Sequence, residues 1–278
     1  MHNDSSGHRE RFADEARSER PDLARLCLLL AAVADPAQDD AALDAAEIEL
    51  DRLAGLLPYG RKTPGGWADA LAALLGEECG FHGTPADYQR LDSSLLPEVL
   101  RRRRGLPILL SVVWIEVARR AGAPAYGVAL PGHFVVGLGD PDHPERVLAD
   151  PFAGGRPLTG AEADHLVART AGAPLEPSAF APASTLDVVL RILNNIRAWA
   201  AARPEQSAVA LRAVELSLLL PSHPANLRYE RAQLLVQRGD FLTGAVELEA
   251  YADVVEAVEP ATARTLRGRA RAARAMLN

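Results

Sequence analysis

The chain of 278 residues has two cysteines, Cys27 and Cys79, too few for a disulfide framework or a cysteine-built zinc site. Lysine is scarcer still. Lys62 is the only one, so nearly all positive charge is arginine, and with the many alanines this suggests a GC-rich bacterial genome. No apolar run reaches the roughly 18 residues that a membrane span needs. Residues 1–20 have no apolar stretch of the signal-peptide kind and read as a flexible N-terminal tail on a cytoplasmic protein. The formal net charge is −7, which argues against nucleic acid and anionic membranes as partners. Arg101-Arg102-Arg103-Arg104 is the local exception: either a solvated helix end or a contact for an acidic partner. His82, His143 and His165 have no metal-site spacing, and neither a metal nor a cofactor is expected. Hydrophobic residues are 48% and charged residues 24%, the balance of a globular protein with one large domain or two smaller ones.

Helical periodicity fills the first third. Leu23, Leu26, Cys27, Leu30 and Val33 make one apolar stripe. Asp39 or Asp40 caps a second helix, 41–56, with Leu43, Ala46, Leu50 and Leu53 inward and Ile48 off the stripe. Trp67 to Glu78 reads as a third helix, and a short one starts at Ser93 or Ser94. From Pro107 to Ala121 a helix is apolar nearly all round, which places it in the centre of a domain. Proline suits its first turn and Gly122 its C′ position. The period then changes. Residues 125–129, 134–138 and 146–149 read as strands, the last ending at Asp150-Pro151. Helices followed by consecutive strands argue for an α+β fold with an antiparallel sheet.

From Thr185 onward only helical patterns occur. Between Pro221 and Pro260, Leu227, Tyr229, Ala232, Leu235, Gly239, Phe241, Ala245 and Tyr251 resemble the tetratricopeptide pattern. The pair 185–202 and 205–220 reads as a degenerate neighbour, and 261–277 as a closing helix. The organisation expected is a tail (1–20), an α+β domain (21–184) and a helical repeat module (185–278), the last fitted to a protein or peptide partner.

Three segments stand in order. Arg104-Gly105-Leu106-Pro107 opens the buried helix, Pro131-Gly132-His133-Phe134 opens a strand, and Asp150-Pro151-Phe152 closes the next. Together with Gly80-Phe81-His82-Gly83, Tyr88, Ser94 to Leu100, Val117 to Gly122 and Leu193-Asn194-Asn195-Ile196, they resemble the transglutaminase-like superfamily. The resemblance is closest to a bacterial SirB-one-type subfamily that joins such a core to tetratricopeptide-like helices. It implies a papain-like core with a cysteine at a helix N-terminus, a histidine on one strand and an aspartate on the next. There the helix end stabilises a thiolate, the histidine moves the proton, and the aspartate orients the imidazole. Carried over, His133 and Asp150 take the last two roles. The family's cysteine lies two residues after a glycine and about fifteen before the glycine that ends the helix. Counted from Gly105 and from Gly122, both rules fall on Pro107, which has neither a nucleophile nor an N–H.

Two readings follow. The first is a pseudoenzyme that binds or regulates through its cleft and helical repeats. The second is an enzyme, whether hydrolase, acyl transferase or proton-abstracting, that keeps a His133–Asp150 dyad and uses water or Ser111, one helical turn past Pro107. Among the remaining polar residues, Glu116 in the apolar helix needs a partner, Arg119 or Arg120. Asn194 and Asn195 are placed to bond across the junction between the two parts. Cys79 is a remote candidate thiol, and Cys27 is core.

Overall fold

The structure, a computed structural model, describes residues 2–60, 62–159, 162 and 180–277; His165 lies outside them. The first half is helical: α1 (His2–Ala16), α2 (Leu23–Ala34), α3 (Asp40–Leu56), α4 (Pro64–Leu71), α5 (Leu96–Arg102) and α6 (Pro107–Arg120). Caps fix several starts. The carboxylates of Asp22 and Asp39 accept from the N–H groups of Arg25 and Ala42, and the Thr63 hydroxyl accepts from Gly66. In α3 the buried side chains are Leu43, Ala46, Leu50 and Leu53, as the stripe predicts, while Ile48 is exposed. The third helix begins earlier than its apolar pattern suggests, at Pro64, and changes to π-helical hydrogen bonding over Ala72–Glu78.

The flexible tail read from residues 1–20 is corrected. His2–Ala16 is helical, and Phe12 and Ala16 lie in the main apolar core. High overall polarity hides a sparse stripe in which Phe12 and Ala16 are one turn apart. Polar contacts hold the other side: Arg9 Nη1 donates to Glu215 Oε2 at 2.7 Å, and Arg11 Nη1 to Asp40 Oδ1 at 2.8 Å.

Helix α6 is the centre. Every side chain from Pro107 to Ala118 is buried, Glu116 included, and that carboxylate accepts from Arg120 Nη1 at 2.8 Å. Burial pushes the Glu116 pKa up, against the pull of Arg120. Against α6 packs an antiparallel sheet ordered β1 (Ala125–Val128), β2 (Val135–Leu138), β3 (Val147–Asp150) and β4 (Arg156–Leu158). The fourth strand has no alternation to announce it; only pairing with β3, Asp150 opposite Arg156, makes it a strand. Alternation along the sheet separates two faces. Ala125, Val136 and Leu138 join the core around α6, while Tyr126, Val128 and Val135 form a smaller cluster with Leu130 on the other side.

The remaining helices are α7 (Thr185–Ala201), α8 (Ser207–Leu219), α9 (Leu227–Gln237), α10 (Phe241–Val255) and α11 (Pro260–Ala275). The change of pattern at 184/185 does not divide the apolar interior. Val188, Val189, Ile192, Leu193 and Ile196 of α7, with Val209, Ala213 and Leu216 of α8, belong to the same core as α2 and α6. A second core begins only in α9–α11, built largely of alanines (Ala232, Ala245, Ala252, Ala263, Ala270, Ala273) with Leu248 and Leu266. No helix among the described residues is long and apolar enough to cross a membrane.

Candidate functional site

The β1–β2 connection brings the site together. Val128 pairs with Val135, and between them the chain turns through Leu130–His133, with the His133 N–H donating to the Leu130 carbonyl at 3.2 Å. Gly132 at φ 68° supplies the left-handed step of that turn. In the next ladder Val136 pairs with Ala149, which sets Asp150 one residue further, beside the incoming His133. The result is a hydrogen bond of 3.0 Å between His133 Nε2 and Asp150 Oδ1. The same oxygen accepts the Phe152 N–H at 3.0 Å. A carboxylate only accepts, so Nε2 carries the proton of this pair. Nδ1 is then left, in the neutral ring, as an acceptor.

Both side chains are largely shielded, 11% exposed for His133 and 8% for Asp150. Phe152 packs edge-on against the imidazole (6.0 Å between centroids) and against Tyr88 (6.2 Å). The dyad opens on a small cleft of about 110 Å³ whose walls include Tyr88, Pro107, Ile108, His133, Arg191 and Asn195. A larger cavity of about 840 Å³, lined by Leu57, Tyr59, Lys62, Trp67 and Arg120 among others, includes none of these residues.

Helix α6 therefore presents its first residue, Pro107, to the histidine. Neither cysteine lines this cleft. Cys27 is fully buried, and burial, with Glu116 and Asp22 nearby, pushes its thiol pKa far up. Ser111 is fully buried too. Its hydroxyl donates to the Phe134 carbonyl at 3.3 Å, rather than to the carbonyl one turn back, and makes no hydrogen bond to His133 among the described residues. Ser111→Ala is expected to cost about 1 kcal/mol in urea unfolding and to leave the His133 ring signals in NMR unmoved. A displacement of those signals would place the hydroxyl against the imidazole.

Two readings of polar residues change. Each arginine of Arg101–Arg104 pairs with a carboxylate: Glu98 for Arg101, Asp87 shared by Arg102 and Arg104, and Glu49 for Arg103. Three carboxylates for four guanidinium groups offset most of the charge of the run, which reduces the basic patch offered to an acidic partner. Nor do Asn194 and Asn195 make a side-chain hydrogen bond across the junction among the described residues: Asn194 accepts from Arg197 on its own helix. Arg191 bridges it: Nη2 donates to the carbonyls of Leu130 and His133, each at 2.8 Å, so α7 clamps the turn that carries the dyad. Trp199 Nε1 adds a second tie, to the Gln89 carbonyl at 3.0 Å. Sequence reasoning missed Arg191. The available signal was its i, i+4 spacing to Asn195 at the edge of an apolar helix stripe.

Comparison with known proteins gives the family. Residues 30–194 match the transglutaminase-like superfamily. The chain belongs to that superfamily. Residues 196–278 match the tetratricopeptide repeat, so this transglutaminase-like core is followed by repeat helices. A UPF0162 protein of Xylella fastidiosa strain 9a5c is 35% identical over 181 residues, covering 62% of this chain and 63% of that protein. A UPF0162 protein of strain Temecula1 is 34% identical over 193 residues, covering 66% and 68%. Mouse F-box only protein 21 is 26% identical over 174 residues, 60% of this chain and 26% of that protein. The four-stranded antiparallel sheet beside α6 is the small sheet of this transglutaminase-like fold.

Proposed function

We propose that this chain is a non-catalytic transglutaminase-like protein of the SirB-one type, which binds a ligand in the His133 cleft and a protein partner on its repeat helices. One observation carries the reading: the residues that α6 contributes to the cleft beside His133 are Pro107 and Ile108. Proline offers no sulfur or oxygen to attack an acyl group, and it lacks the backbone N–H that could stabilise an oxyanion there. The nearest aliphatic hydroxyl on α6, that of Ser111, is already engaged with Phe134. Among the described residues, Tyr88 carries the hydroxyl that lines the cleft. Burial raises its pKa, so it stays a protonated phenol at neutral pH.

The test compares full-length wild type with His133→Ala on activated esters and primary-amide acyl donors. Equal background rates are expected, with the partner still captured by the variant. A rate present in wild type and lost in a folded His133→Ala protein would sink the reading. The second reading, a hydrolase or acyl transferase that activates water, is favoured by the intact dyad, whose His133 lines the cleft and whose Nδ1 has no hydrogen-bond partner among the described residues. It requires that His133-dependent rate.

A further inference from the structure

Arg191 does more than its hydrogen bonds to the turn require. Its guanidinium is half-buried on the cleft wall, over the Phe134 ring at 5.6 Å. A single nitrogen, Nη2, serves both carbonyls of the turn. Nε and Nη1 have no partner, and no carboxylate pairs with the group among the described residues. Burial lowers its pKa, and Tyr88 is the one ionisable group that opposes the shift; the guanidinium stays charged at neutral pH. One turn along α7, the Asn195 side-chain amide lines the same cleft with no hydrogen-bond partner among the described residues. Arg120, Arg197 and Arg231, also half-buried, each pair with glutamates; Arg203 and Arg212 share with Arg191 the lack of a carboxylate among the described residues, but neither lines this cleft.

We propose that the cleft is a carboxylate-binding site in which Arg191 and Asn195 hold the anion beside His133. This deepens the binding reading above and rests on it. With Nη2 occupied by the turn, Nε and Nη1 are left to offer a carboxylate single charge-assisted N–H donors, and the amide adds a further donor. A singly charged group suits the local balance. Among the described residues one cation lines the cleft, and the Asp150 carboxylate lies behind His133, so a phosphate dianion would be desolvated with too little compensation. The volume, about 110 Å³, is below the roughly 300–1,000 Å³ of a site that encloses a whole drug-sized ligand. It admits the carboxylate and the few atoms next to it. Such a group is either the C-terminal end of a peptide or a small free acid.

The test is an NMR titration of the full-length protein, read at the Asn195 side-chain amide and the His133 ring. The probes are acetyl-alanyl-alanine, its C-terminal amide, sodium acetate and inorganic phosphate. Saturable shifts are expected with the free-acid peptide, at least about tenfold weaker with the amide. Arg191→Met should weaken binding by a similar factor, but it also loosens the Leu130–His133 turn. Asn195→Asp has no bond to that turn and adds a repelling charge, so it is expected to lose the peptide while keeping the fold. Acetate binding as tight as the peptide assigns a small acid, and a tighter peptide assigns a chain end; either supports a carboxylate site. Equal binding of acid and amide, undiminished binding by Asn195→Asp, phosphate binding as tight as the peptide, or no saturable shift with either carboxylate would overturn the proposal. The two readings fail separately. Carboxylate binding together with His133-dependent turnover sinks the non-catalytic function and leaves the site standing; no carboxylate binding and no turnover does the reverse.

Discussion

Gly76→Ala is expected to destabilise the protein by about 3 kcal/mol or more and to pull Asp150 away from His133. Position 76 lies in the π-helical turn, against the loop that follows β3. A Cβ there would stand 2.0 Å from the Gly154 carbonyl oxygen, 2.9 Å from its carbon and 3.2 Å from its Cα. All three are backbone atoms, so no side chain can swing aside, and the loop itself must move. Taken alone, alanine favours a helix over glycine by up to about 1 kcal/mol. The clash outweighs that gain, which makes the sign of the effect a direct measure of how closely the two backbones approach. Displacement is transmitted to the dyad, because the Gly155 N–H is bonded to the Asp150 carbonyl at 2.8 Å and the Gly154 N–H to Pro151 at 3.1 Å. Urea unfolding gives the stability, and His133 ring NMR reports the bond to Asp150. A neutral or stabilising Gly76→Ala would mean that the close approach does not exist in solution.

Asp87→Ala is expected to cost about 3–5 kcal/mol. The side chain is 2% exposed and sits at the centre of a polar network. Its Oδ2 accepts from the Thr84 N–H (2.8 Å), the Thr84 hydroxyl (2.9 Å) and Arg104; its Oδ1 accepts from Ser93 (3.3 Å) and Arg102 (3.4 Å). Removing the carboxylate leaves two partly buried guanidinium groups and a backbone N–H short of an acceptor. The segment so anchored carries Tyr88, so the cleft wall should loosen as well.

The pH dependence has a definite sign. Burial alone would raise the Asp87 pKa, but the hydrogen bonds from Thr84 and Arg104 outweigh it, and the net shift is downward. The unfolded chain then binds more protons than the folded one in the window between the two values. This contribution is complete above the unfolded value, about pH 4, and is lost as pH falls through the folded value. Asp87→Asn should therefore differ most from wild type at neutral pH, with the difference shrinking as both are acidified below about pH 4. A constant difference across that range would remove the charge from the explanation.

Part of this protein is legible residue by residue. The cap at Asp39, one of two candidates in the sequence, the inward stripe of α3 and the all-apolar α6 with Pro107 at its start follow from local chemistry and periodicity, as does the order of a histidine before one strand and an aspartate at the end of the next. These are properties of short windows, and short windows are what a sequence displays.

What only the tertiary structure decided is where distant polar groups end up. Phe12 became core because α8 offers α1 a surface and Glu215 a partner for Arg9. Four consecutive arginines are drawn into ion pairs because Asp87, Glu49 and Glu98 lie within reach. The Ser111 hydroxyl was drawn to the carbonyl of Phe134, from a strand-opening segment 23 residues away. Arg191 came to the dyad from a helix that pattern alone assigns to another module, because α7 buries its apolar stripe in the core of the first. Apolar periodicity encodes which face of an element is buried, but a buried polar group takes whichever partner the packing brings within about 3 Å, and that partner is not written nearby in the chain.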